Sequence, residues 1–135
     1  MDLMQYGISD NNLSFLKKKQ DNSELIIQTG TVSTTGELVS YTPATGKTFY
    51  FISARIRNTT TAGILAVDAQ VENNGTAKFY LRVEDDTTNQ QYKPIDEVLG
   101  APDSLVGDGA KKYRINITAN ASSNTIHGTL IGWIE

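Results

Sequence analysis

The chain contains no cysteine, a single histidine and a single tryptophan among its 135 residues. The missing thiols remove thiol catalysis, and they leave no disulfide pattern from which a redox compartment could be read. Basic residues are also in short supply, 12 Lys and Arg against 15 Asp and Glu, for a net charge of -3. Duplex-binding proteins show a basic stripe. The only basic run here is Lys17-Lys18-Lys19, which reads as a solvated helix end. No apolar run approaches the ~20 residues that span a bilayer. The opening MDLMQYGISD lacks a basic segment followed by an apolar core, so it is not expected to act as a secretory signal. A soluble protein, or one mounted on something by protein contacts, is expected.

Apolar residues make up 39% of the chain and charged residues 20%, too apolar a mixture for wholesale disorder. The length suits one domain able to bury a core without metal or disulfide staples. Two regions differ in pattern. Residues 1–22 read as an N-terminal arm or short helix, capped by Asp10 or Asn11, with Leu13 and Leu16 on one side and the lysines in the last turn. A helix that short is marginal alone in water, so docking on a neighbouring molecule is as reasonable as packing on its own domain. Residues 23–135 read as a β-sandwich domain.

From Glu24 onward the hydrophobic period is two. Strands are predicted at Leu25–Val32, Glu37–Tyr41 and Thr48–Asn58. The last of these has aromatics on both faces near its start: Tyr50, Ile52, Ala54 and Ile56 against Phe49, Phe51, Ser53 and Arg55. In GILAVDAQVENNGTAKFYLRVED, a three-residue loop Asn73-Asn74-Gly75 pairs Val71 with Ala77, Ala69 with Phe79 and Val67 with Leu81. A two-residue Asn74-Gly75 turn would instead oppose Val71 to Lys78. Residues 85–110 read as a long connection, with short elements near Ile95–Leu99 and Leu105. Lys112–Ala119 and Thr125–Glu135 are predicted to pair, Ala119 opposite Ile126 across the loop Ala121–Asn124. That register places Lys112 near Trp133 and Arg114 near Ile131, and leaves Trp133 facing outward. The fold class is therefore all-β: an antiparallel β-sandwich, jelly-roll-like, preceded by the arm.

Motifs for chemistry are scarce. In TPATGKT, Gly46-Lys47-Thr48 imitates the end of a phosphate loop. However, Tyr41 stands where the first glycine belongs, and the lysine opens a strand, TFYFISARI, rather than a helix. The motif is read as a turn. His127 reads as a surface or interface residue. Glu84, Asp85 and Asp86 offer oxygen ligands of the kind calcium takes, but acidic residues that end a hairpin are ordinarily just solvated. Asp108 in VGDGA reads as a glycine-flanked turn. No nucleophile elbow accompanies the serines. Sequons at Asn12, Asn58, Asn74, Asn116 and Asn120 are frequent by chance in a chain this rich in Asn and Thr. No enzyme, cofactor or metal is expected.

The turn Pro43-Ala44-Thr45-Gly46-Lys47 before an aromatic strand ending in Asn58, together with the closing HGTLIGWIE, resembles the small β-sandwich structural proteins of tailed viruses. These are head-decoration, head-fibre, neck and tail-attached subunits. The resemblance spans residues 25–135. It implies a homo-oligomer within a virion, contacting a major capsid or tail protein, and neither nucleic acid nor membrane. Leu13, Leu16, Phe49, Phe51, Ile131 and Trp133 are then the expected contact residues. Two further readings stand beside it. One is a carbohydrate- or receptor-binding module, for host-surface glycan, using Tyr80, Tyr92, Trp133, Asn89, Gln90 and Gln91. The other is an extracellular filament subunit that donates its N-terminal segment to a neighbour's sheet.

Overall fold

A computed structural model describes residues 24–60, 66–83, 90–94 and 103–135. They form nine strands: β1 (Glu24–Val32), β2 (Gly36–Tyr41), β3 (Thr48–Asn58), β4 (Val67–Asn73), β5 (Thr76–Val83), β6 (Gln90–Pro94), β7 (Ser104–Val106), β8 (Tyr113–Asn120) and β9 (Ile126–Ile134). One sheet runs β1-β9-β3-β6, with β7 also pairing to β3; the other runs β2-β8-β4-β5. All pairings are antiparallel. The sheet pairs nest: β4 with β5 innermost, then β3 with β6, β2 with β8, and β1 with β9. That order is a ribbon folded over on itself, the jelly roll. The expected fold class is observed. The proposed arm, residues 1–22, and the element at Ile95–Leu99 lie outside the described residues. The short element near Leu105 is β7, and β6 is a strand that the sequence pattern did not reveal.

Pairing departs from the sequence expectation in three places, each for a physical reason. First, β8 and β9 belong to different sheets, so Ala119 does not oppose Ile126; it pairs with Asp68 and is exposed. Ala121–Asn124 is a crossing between sheets, tied by Asn120 Nδ2 donating to the Asn124 carbonyl (2.8 Å) and by Asn124 N donating to Asn120 Oδ1 (2.8 Å). Trp133 accordingly pairs with Leu25 and Tyr50, and Ile131 with Ile27 and Ser53, not with the neighbours of Lys112 and Arg114.

Second, the β4–β5 connection is the two-residue turn, with Asn74 at φ 48° and Gly75 at φ 88°. Both angles are left-handed, as a tight hairpin turn requires. A bulge rescues the hydrophobic register: Glu72 pairs with Ala77 and Val71 with Phe79, leaving Lys78 as the extra residue. Third, β3 bulges at Ile52, between Phe51↔Gly132 and Ser53↔Ile131. Phe49 and Phe51 therefore share the inner face with Ala54 and Ile56, while Tyr50, Ser53 and Arg55 face out. One extra residue thus brings the two phenylalanines, which simple alternation sets opposite Ala54 and Ile56, onto the core face.

The two sheets enclose Leu38, Val39, Phe49, Phe51, Ile56, Val71, Tyr113, Ile115, Leu130 and their neighbours. Glycine sets how closely the sheets approach. A Cβ on Gly30 would lie 2.1 Å from the Leu38 carbonyl oxygen, whereas one on Gly128 would meet Leu38 Cδ2 at 2.3 Å. A side chain can rotate away; a backbone carbonyl in a neighbouring strand cannot. Gly30→Ala is therefore expected to lose about 1–3 kcal/mol, the usual cost of overpacking, and to lose more than Gly128→Ala. Urea unfolding of both variants checks the order, and a larger loss for Gly128→Ala would contradict it.

Candidate interaction faces

The TPATGKT segment is a turn. Lys47 N donates to the Ala44 carbonyl (3.0 Å), Gly46 has φ 83°, and β3 follows at Thr48. The loop after β7 docks on it: Gly107 N donates to the Lys47 carbonyl at 2.7 Å. A Cβ on Gly107 would come within 2.4 Å of the Pro43 and Ala44 carbonyls, so the contact requires glycine. Asp108 closes its own turn, with Oδ1 accepting from Ala110 N (2.8 Å) and Lys111 N (2.7 Å). These backbone hydrogen bonds hold the Asp108 carboxyl below its ordinary pKa.

Beside this loop, Asp103 joins the sheets. Its Oδ2 accepts from Tyr113 Oη (2.9 Å) and from Asn73 Nδ2 (3.0 Å), and Lys78 stands 3.6 Å from Oδ1. Burial, with Asp103 alongside, pushes the Tyr113 hydroxyl far above the ordinary phenol range.

The expected contact residues divide. Leu13 and Leu16 lie outside the described residues. Phe49 (0% exposed) and Phe51 (1%) are core, not surface. Ile131 and Trp133 sit on the outer side of their sheet by register, yet they too are buried, at 3% and 1%. The anticipated exposed patch of Phe49, Phe51, Ile131 and Trp133 is therefore not present. The bulge explains the two phenylalanines. Trp133 Nε1 has no hydrogen-bond partner among the described residues.

The ligand candidates also separate. Tyr80 belongs to β5, where it pairs with Gln70 and is 74% exposed. Tyr92 and Gln90 belong to β6 in the other sheet, paired with Arg55 and Arg57. Asn89 lies outside the described residues, as do Glu84, Asp85 and Asp86. Tyr80 instead borders a shallow hollow of ≈ 500 Å³ with Asp68, Gln70, Arg82 and Thr118. Arg82 Nη1 donates to Asp68 Oδ1 at 3.2 Å across its rim. Among the sequons, Asn58 is only 1% exposed, which closes that position to modification in the folded chain.

Sequence reasoning missed the other broad face. Outward residues of the first sheet form two cross-strand rows: Thr29–Thr129–Arg55 and Thr31–His127–Arg57. They line an open hollow of ≈ 410 Å³. Arg55, Arg57 and His127 are exposed. Thr31 Oγ1 and His127 Nδ1 are 3.2 Å apart, within hydrogen-bonding distance. Among the described residues neither arginine is ion-paired, while Arg82 and Arg114 both are. The signal was available in ARIRN: two arginines at a spacing of two on a strand share one face. No group of three or more His, Asp or Glu suited to holding a metal occurs among the described residues. No protein-family model matches this chain, and no curated protein is significantly similar to it in sequence.

Proposed function

We propose that the protein is a non-enzymatic structural subunit of a virion, a capsid decoration or appendage protein that acts through contacts with copies of itself and with a major capsid or tail protein. The observation that carries this reading is the nested strand order β1-β9-β3-β6 over β2-β8-β4-β5. Viral capsid proteins and lectins use this frame, and the analogy operates at the level of fold. The turn and closing-strand resemblance points the same way. The working parts of such a protein are its two flat faces and its loops, not a cleft holding reactive groups. Mass spectrometry and gold labelling of purified particles test the assignment, alongside the native mass of the free protein. The expected result is a symmetric oligomer that binds particles saturably at a fixed copy number. A monomer absent from particles overturns it.

A second reading, a carbohydrate-binding module, is favoured by one feature, the Tyr80 hollow. An exposed ring beside Gln70 and Thr118 offers a sugar a stacking surface and hydrogen-bonding groups together. Neutral oligosaccharides that bind the protein but lose affinity for Tyr80→Ala would support it. A glycan array with no binding removes it.

A further inference from the structure

We propose that the Arg55–Arg57 face binds an acidic polysaccharide, through anionic oxygens flanked by sugar hydroxyls. Both guanidinium groups leave the same side of β3, on backbone positions about 7 Å apart along the strand. Each presents the planar donor fork that pairs bidentately with a carboxylate or sulfate. Hydroxyls of Thr29, Thr31 and Thr129 stand in the same rows, with the His127 ring between Thr31 and Arg57. Fixed cations interleaved with hydroxyls suit a chain that carries an acid group among hydroxyls.

Three observations separate this occupant from others. Among the described lining residues no carboxylate neutralises the arginines, which leaves their charge to a ligand. The described lining residues include no Trp, Tyr, Phe or large aliphatic side chain, whereas protein interfaces set their arginine anchors among buried tryptophan and tyrosine. Finally, two arginines on a chain of net charge -3 fall well short of the basic stripe that duplex nucleic acid requires. The opposite face differs in kind. There Arg82 is engaged by Asp68, and Arg114 by Glu72 and Glu37.

This site does not depend on the virion reading, and its test is separate. Binding of the full chain is measured by titration calorimetry against polygalacturonate, dextran sulfate, neutral dextran and polyglutamate. Polygalacturonate supplies carboxylates and dextran sulfate supplies sulfates, so comparing them identifies the anion. The expected result is binding to at least one acidic polysaccharide and none to neutral dextran. Affinity should fall about tenfold for Arg55→Gln and for Arg57→Gln, the loss of one charge-assisted pair. Lys78→Gln on the other sheet serves as the charge-matched control and should leave it unchanged. Both arginine side chains are exposed, and far-UV circular dichroism with thermal melting verifies that the variants fold. Absence of binding to both acidic polysaccharides overturns the proposal. So does binding indifferent to the arginine variants, or polyglutamate binding as tightly as the saccharides.

Discussion

Phe51→Ala is expected to destabilise the protein by about 3–5 kcal/mol, the range for a fully buried phenylalanine. Phe51 rises from the first sheet and lies between two rings of the second. Its centroid is 5.2 Å from Phe79, at an interplanar angle of 28°, and 5.2 Å from Tyr113, at 17°. Phe49 extends the stack, 5.3 Å from both Tyr113 and Tyr41. Removing the central ring strips contacts from both sheets at once. The strand beneath has little freedom to sink into the void: Phe51 pairs with Gly132 on one side, and its N–H donates to the Asp103 carbonyl at 2.9 Å on the other. Residual cavity therefore adds to the lost transfer energy. Tyr80→Ala provides the contrast, since a ring 74% exposed should change stability by no more than about 0.5 kcal/mol. Chemical denaturation of the two variants decides the matter. Similar losses would mean that the aromatic stack does not join the sheets.

The same residues show how far the sequence could be read. Alternation located β1, β3, β4, β5, β8 and β9 closely, because one buried face imposes a period of two. It failed at the bulges. Each extra residue, Ile52 in β3 and Lys78 in β5, reverses the phase beyond it. Phe49 and Phe51 consequently read as outward when they form the centre of the core. Pairing across the molecule was less legible still. Short loops suggest hairpins, but β8 and β9 are joined by a short loop and lie in opposite sheets, since a jelly roll pairs its ends before its neighbours. The cationic face escaped notice for a related reason. Thr29, Arg57 and His127 come from three strands distant in sequence, and only the register of β1, β9 and β3 assembles them. Tyr80 was recognised because an aromatic flanked by polar residues on an outward phase is a local signal.

Acid should expose the weight of one buried carboxylate. Glu72 is 2% exposed although it sits on the outer side of the second sheet. Its Oε1 accepts from Arg114 Nε at 2.7 Å; its Oε2 accepts from Asn116 Nδ2 at 3.0 Å and also from Gln70 Nε2. Desolvation pushes the Glu72 pKa up, but the hydrogen bonds from Gln70, Arg114 and Asn116 outweigh it and hold the folded value below the ordinary 4.5. A carboxylate with a depressed folded pKa contributes stability in full above its unfolded pKa and loses it as the pH drops through the folded one. The protein should accordingly weaken as the pH falls below 4.5. Glu72→Gln removes the charge while keeping the shape, and should cost about 1.5–3 kcal/mol at neutral pH, the worth of hydrogen bonds to a charged group. The variant should also lose less further stability on acidification, so the two curves converge at low pH. Glu37 shifts in the same direction, held down first by its contact with Lys112 at 2.6 Å, but it is half-open to solvent and its share should fade with added salt. The Glu72 contribution, shielded from ions, should persist. Parallel stability curves for wild type and Glu72→Gln between neutral pH and acid would assign the acid sensitivity to other carboxylates.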